Sequence, residues 1–241
     1  MNLRKLLLTS LLSLLAIHGS VKAHKALEEM RIGVQASFAL TGSKVSIAAL
    51  NCPTCGDRSD VFGRGAVGGF TIDGGQFLDG THTLVGVELS ANFGRFSGRK
   101  SVQGTIFGAP NGNLTTKIGF QQAYDLCARV GQMMGDNDFL PYAKLGSSWA
   151  RWKIRSESDQ LGVGTSSTGK LGVVLGIGVE FPLEEHVTFD ASNLTVGIEY
   201  AYRQYAQSNH NIRNQAGENL RSIKVVPSMS TFMIRISYKV S

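Results

Sequence analysis

The first residues equipped for chemistry are Cys52-Pro53-Thr54-Cys55. Two thiols at this spacing suit dithiol redox work or half of a metal site. Zinc needs two further ligands, and neither a second Cys-x-x-Cys nor a nearby histidine supplies them. In an oxidising compartment the expectation is a local disulfide between Cys52 and Cys55, with free thiols as the alternative. Cys127 stands between Asp125 and Arg129 at alternating positions and reads as a small filler. His24, His82, His186 and His210 are scattered along the chain. His210 has Ser208 two residues away and Glu218 further on. Hydroxyl, imidazole and carboxylate are the parts of an acyl-transfer site, but ordinary loop polarity explains the same composition. The expectation is no catalytic residue, no cofactor and no metal.

The other concentration of chemistry is a set of charges at alternating positions inside apolar stretches. Arg31, Glu88, Asp125, Arg129, Lys144, Glu180, Glu199, Arg203, Arg235 and Lys239 each share a face with glycine or small polar residues. In Leu194–Tyr205, Leu194, Val196, Ile198, Tyr200 and Tyr202 alternate with Thr195, Gly197, Glu199, Ala201 and Arg203. Period-two alternation is the mark of a β-strand with one greasy face and one polar face.

Such segments recur along the chain. They are RIGVQASFAL, GAVGGFTID, TLVGVELSANF, KIGFQQAYDLCARV, PYAKLGSSWARW, KLGVVLGIGVEF, LTVGIEYAYRQY and TFMIRISYKV, eight in all. Their greasy faces carry Ile32, Val34 and Phe38; Phe70 and Ile72; Val85, Val87, Leu89 and Phe93; and Ile118, Phe120, Tyr124, Leu126 and Val130. Long polar connections are expected at 41–64, 94–116, 155–169 and 206–227, and shorter ones at 74–80, 135–138 and 182–193. Membrane barrels show this alternation of short turns and long outer loops.

Two architectures suit an eight-stranded meander. A lipocalin-like barrel turns its greasy face inward, and a membrane barrel turns it outward and fills its lumen with polar groups. The polar face favours the second. Its four acids and six bases, beside glycines such as Gly176, Gly178 and Gly197, suit a narrow lumen packed with ion pairs. The greasy face carries no charge in these registers, where a charge at the bilayer centre would cost about 2–4 kcal/mol.

The ends and composition fit this reading. Arg4 and Lys5, an apolar run from Leu6 to Ile17 and Val21-Lys22-Ala23 form a secretory signal, so a signal peptide over 1–23 and one domain over 24–241 are expected. Removing residues 1–23 leaves 21 basic against 18 acidic residues, about +3 at pH 7. The bases are scattered rather than clustered with aromatics, which gives nucleic-acid binding little support.

The final third, GIGVEFPLEE, then LTVGIEYAYRQY, then the alternating C-terminal strand, resembles the OmpA/opacity-type family of small outer-membrane β-barrel proteins. The resemblance implies an all-β, eight-stranded antiparallel up-and-down transmembrane barrel in the bacterial outer membrane. It implies short periplasmic turns, long extracellular loops and insertion by the barrel-assembly machinery. The family's usual terminal aromatic is replaced by Tyr238-Lys239-Val240-Ser241, and the peptidoglycan tether of longer relatives is not expected of this chain.

Function is then expected in the loops, with no intrinsic catalysis. FGRFSGRKSVQGT and HNIRNQAGENLRS are basic and rich in hydrogen-bonding groups. They suit lipopolysaccharide, outer-membrane lipid or host surface molecules; envelope integrity and adhesion follow from the resemblance. A monomer is expected. The alternatives are a narrow solute or ion channel, a lipid-modifying enzyme and a soluble carrier.

Overall fold

The structure, a computed structural model, describes residues 30–49, 52–79, 81–106, 109–134, 139–158, 162–182, 193–213 and 219–240. The expected signal peptide, His24, His186 and Glu218 lie outside them, as do the side chains of Cys52 and Cys55.

Nine strands are described: β1 (Met30–Ala49), β2 (Cys52–Phe77), β3 (Thr83–Ile106), β4 (Ala109–Gln132), β5 (Leu140–Ser158), β6 (Gly162–Pro182), β7 (Leu194–Tyr205), β8 (Ser208–Arg213) and β9 (Asn219–Val240). Each strand from β1 to β7 pairs antiparallel with the next, β7 pairs with β9, and β9 returns to β1. That closes an eight-stranded barrel without edges. β8 takes up where β7 stops and pairs with the upper part of β9, so the seventh barrel strand comes in two pieces.

The expected outward face of the barrel wall is outward. Val34, Phe38, Phe70, Leu89, Leu145, Ile177, Ile234 and Tyr238 are each about half exposed, and form an apolar belt. Glu88, Asp125, Glu199, Arg203 and Arg235 point inside and are almost wholly buried. At one end the strands meet in tight connections. The Leu78 amide donates to the Thr83 carbonyl at 2.9 Å, and Met134 bridges Phe139.

The other end differs from expectation in two ways. The segments expected as long loops at 41–64, 94–116 and 155–169 are mostly strand. β2, β3 and β4 run for 26, 24 and 24 residues, where a membrane crossing needs about 9–11. Beyond the apolar belt the alternation continues with its sense inverted. On β5, Arg151, Lys153 and Arg155 are exposed while Trp152 and Ile154 are fully buried. These segments read as polar because their charges face outward while Val45, Val61 and Phe96 turn inward.

Second, Ile118 and Phe120 do not share the outward face of Tyr124, Leu126 and Val130. Both are buried inside, at 3% and 2% exposure. The register between β4 and β5 slips between Phe120 and Gln122. That extra residue is a β-bulge, and in a period-two element it swaps the faces of everything beyond it.

Above the belt the barrel ladder is interrupted twice. β2–β3 pairing stops at Gly68 with Phe93, and β6–β7 pairing stops at Gly172 with Tyr205. The upper half therefore divides into two four-stranded faces, β8-β9-β1-β2 and β3-β4-β5-β6. At the first break the chains touch closely: a Cβ on Gly98 would strike the Phe62 carbonyl. Val45, Val61, Ile223 and Val225 of one face meet Ile118, Phe120, Trp152 and Ile154 of the other in a single apolar cluster. This is the packing logic of a β-sandwich, in which inner faces interdigitate and charged residues point to water.

Candidate functional site

The lumen is stratified. Nearest the short-turn end, the β1–β2 pairing places Arg31 opposite Asp73. The Arg31 guanidinium lies 2.6 Å from Asp73 and 2.8 Å from Glu180. Arg129 pairs with Glu180 at 2.6 Å and lies over the Tyr142 ring, 3.7 Å from its centroid. Arg235 reaches Glu88 at 2.8 Å and Glu180 at 2.7 Å. Lys144 donates to Glu88 and lies 2.7 Å from Glu199. The Tyr142 hydroxyl accepts from Arg235 at 2.7 Å and donates to Glu199 at 2.8 Å.

The next layer is a separate pair. Arg203 donates to Asp125 at 2.7 Å and to the Thr231 hydroxyl at 2.8 Å, and Asp125 also accepts from Ser90 at 3.1 Å. Glycines make the room for these long side chains. A Cβ on Gly178 would come within 2.6 Å of the Tyr142 hydroxyl, and one on Gly176 within 2.9 Å of the Lys144 stem.

Nine of the ten charged positions singled out from the sequence are brought together here. Lys239 is the exception. It lies half-buried near the rim, and no ion pair is described for it. Asp73 is the member that sequence reasoning missed. With Asp73 in and Lys239 out, this network among the described residues holds five cations and five anions and is electrically balanced. Buried charge is tolerated only when it is paired in this way.

Above the charges lies an apolar seal. Phe96, Phe120, Trp152 and Tyr205 form an aromatic row across the interior, with ring centroids 5.3–5.5 Å apart along it. The Tyr205 hydroxyl ties this row to Ser148 at 3.1 Å. Cys127 is buried among the lumen side chains, and no disulfide includes it.

Higher still, the His210 Nδ1 is 2.6 Å from the Ser166 hydroxyl on β6. The sequence suggested Ser208 as its neighbour. Forty-four residues separate Ser166 from His210, so no local spacing could have revealed the pair. Burial holds the imidazole below its ordinary value of 6.5, partly offset by a hydrogen bond with the Gly164 backbone. Among the described residues no cluster of three or more His, Cys, Asp or Glu side chains could hold a metal.

On the outside, the apolar belt ends in aromatic residues. Tyr124 stacks on Trp149 at 5.8 Å between centroids and meets Phe93 edge-on at 6.1 Å. Interfacial girdles of this kind flank the lipid-facing band of membrane barrels. The profile of the family described as "Outer membrane protein beta-barrel domain" matches residues 9–221. The chain belongs to this family.

This outer-membrane β-barrel protein is similar in fold to OmpT, the outer membrane protease of Escherichia coli, at 9% identity and a TM-score of 0.50, covering 88% of this chain and 97% of that one. It also matches Ail, the attachment invasion locus protein of Yersinia pestis, at 15% identity and a TM-score of 0.30, covering 83% and 97%. The N-terminal β-barrel domain of Pseudomonas aeruginosa OprF matches at 13% identity and a TM-score of 0.29, covering 84% and 97%. No curated protein sequence matches the chain. The barrel lies in the outer membrane of Gram-negative bacteria, with its short turns periplasmic and its long hairpins outside.

Proposed function

We propose that this protein is a plugged barrel that displays an extracellular β-structure for surface contact, and that it binds rather than catalyses. The observation that supports this is the inverted polarity of the upper half. An anchor needs about 9–11 residues per strand, and this chain continues β2, β3 and β4 to more than twice that length. The extension has its own apolar core and presents its charges to water. The lumen beneath is filled by balanced ion pairs and the aromatic row, an arrangement that suits a plug rather than a conduit.

The test uses a variant whose hairpins are cut back to the girdle, joining Gly42 to Phe62 and Ser97 to Gly119 by short turns. It should keep the heat-modifiable, compact form on gels yet lose adhesion of expressing cells to host-cell surfaces. Ohmic conductance of the intact chain in planar bilayers would instead establish a channel. The Ser166–His210 contact supports a second reading, a hydrolase acting at the outer mouth. In that case His210→Ala would abolish ester or peptide cleavage by the refolded protein, and His82→Ala would not.

A further inference from the structure

β7 and β8 do not join in register. The β7–β9 pairing ends at Gln204 with Ser228, and the β8–β9 pairing begins at Ser208 with Val225. Residues 205–207 therefore face only residues 226–227, which leaves one residue extra. Pro227 has no N–H to offer the ladder at this point. The extra residue forms a β-bulge, a device that re-aims side chains. Its mark is that Ala206 and Gln207 are both exposed, where strict alternation would expose one.

Beside the bulge the outward face of β8, β9, β1 and β2 carries a notch of about 390 Å³, whose lining includes Lys44, Ser46, Asp60, Gln207, Lys224 and Val226. The registers fix the layout. Lys44 is paired with Asp60 on β2 and with Val226 on β9. Ser46 is paired with Lys224, so the two lysines are diagonal neighbours, about 7–8 Å apart. Val226 is half-buried and gives the notch an apolar floor. Gln207 forms the far side, where its Nε2 donates to the Asn209 side-chain oxygen at 3.2 Å. Lys44, Asp60 and Lys224 are exposed, and among the described residues no ion pair joins them. On β1 the outward residues run Phe38, Leu40, Gly42, Lys44, so Lys44 stands about 13 Å beyond the last apolar one.

Two ammonium groups and one carboxylate call for their opposites on one small molecule. A free acidic α-amino acid carries that set. Each of its carboxylates can accept from one lysine, its ammonium can donate to Asp60, and its methylenes can rest on Val226. Such charge-assisted hydrogen bonds are the strong ones. A sugar acid or an inorganic anion brings no cation and leaves Asp60 without a partner. The volume admits about ten non-hydrogen atoms with water beside them.

We propose that this notch binds a free acidic amino acid of the glutamate or aspartate type, held by Lys44, Lys224 and Asp60. The proposal rests on the surface-display reading, because it requires this face to stand outside the bilayer, and it adds a small-molecule ligand to that reading. For about ten non-hydrogen atoms in an exposed site, a dissociation constant of about 1 mM is the expected scale.

The experiment places the full chain in phosphatidylcholine nanodiscs and titrates in L-glutamate, L-aspartate, L-glutamine or N-acetyl-L-glutamate. Binding is read by saturation-transfer NMR against empty nanodiscs. At least one of the two acidic amino acids should saturate, about tenfold more tightly than glutamine or the N-acetyl compound. Lys44→Gln and Lys224→Gln should each weaken it about tenfold. Asp60→Asn should erase the preference for the free amine, so that glutamate and N-acetyl-L-glutamate bind alike. Arg99→Gln/Arg155→Gln on the opposite face should bind as the wild type does, and heat-modifiability checks that each variant folds. Absence of saturation by both acidic amino acids overturns the proposal, as do unaffected lysine variants or equal wild-type binding of the N-acetyl compound. Ala206→Cys, in a chain carrying Cys52→Ser, Cys55→Ser and Cys127→Ser, separates the two layers of argument. If a water-soluble maleimide does not label it on intact cells, the display reading itself fails. If it labels but the acidic amino acids do not bind, only the ligand proposal fails.

Discussion

Arg203 and Asp125 offer the sharpest perturbation of the lumen. Both side chains are fully buried, and the guanidinium holds the carboxylate through hydrogen bonds at 2.7 and 3.1 Å. Arg203→Met removes the cation and leaves an uncompensated buried anion, which typically costs about 3–5 kcal/mol. Ser90 and Asn92 keep their contacts with Asp125 at 3.1 and 3.4 Å, so a loss near the lower end, about 3 kcal/mol, is expected. Adding Asp125→Asn removes the orphan charge. The double variant should therefore cost less than the sum of the two single variants, with a coupling of about 2 kcal/mol. The exposed pair Arg155–Glu157 is the internal comparison, with side chains 51% and 42% exposed. Arg155→Met should cost under about 1 kcal/mol. The assay is urea unfolding in lipid vesicles, followed by tryptophan fluorescence and gel shift. The reasoning is refuted by a cost for Arg203→Met no larger than that for Arg155→Met, or by strictly additive single variants.

Three further outcomes follow from the same layering. Trp152→Ala opens the apolar seal and should cost about 3–5 kcal/mol in unfolding, whereas Ser167→Ala on the outer face should be near neutral. Ile234→Arg places a charge on the lipid face and should cost about 2–4 kcal/mol if it lies near the midplane; the readout is folding yield into vesicles. The buried His210 imidazole is held below 6.5, so its neutral form belongs to the folded state and the unfolded chain takes up the proton first. Its contribution is present above pH 6.5 and is lost as pH falls below that value. Once the intrinsic pH dependence of amide exchange is divided out, protection at β8 should therefore fall between pH 7.5 and 5 in the wild type and change less in His210→Gln.

Much of the membrane half was legible because lipid on one side and charge on the other enforce strict alternation. Leu194 to Tyr205 could be assigned to two faces by eye, and Glu199 and Arg203 stand inside as that alternation requires. Asp73 escaped notice although it shares the inward phase of Thr71. Gly68 and Gly69 blur the pattern, and Asp73 falls at the end of the recognised segment. The phase change in β4 was hidden because Gln121 and Gln122 are both polar, so an extra residue there leaves no hydrophobic trace. The extracellular strands obey the same period with opposite sense. Arg151-Trp152-Lys153-Ile154-Arg155 states it in the sequence, but its charges and the glycines nearby resemble loop composition. The Ser166–His210 contact depends on two strands that approach only where the β6–β7 ladder ends. Long-range geometry of that kind has no local signature.

The central claim is that polarity inverts at the outer girdle, and β5 carries it most plainly. Single nitroxide labels at positions 143 to 155, in the protein reconstituted in bilayers, can be probed with lipid-soluble oxygen and a water-soluble nickel chelate. Labels at 143, 145 and 149 should respond to oxygen, those at 151, 153 and 155 to nickel, and those at 144, 148, 152 and 154 to neither. Oxygen access at 152 and 154 without nickel access at 153 would carry the lipid-facing phase past the girdle and contradict the account.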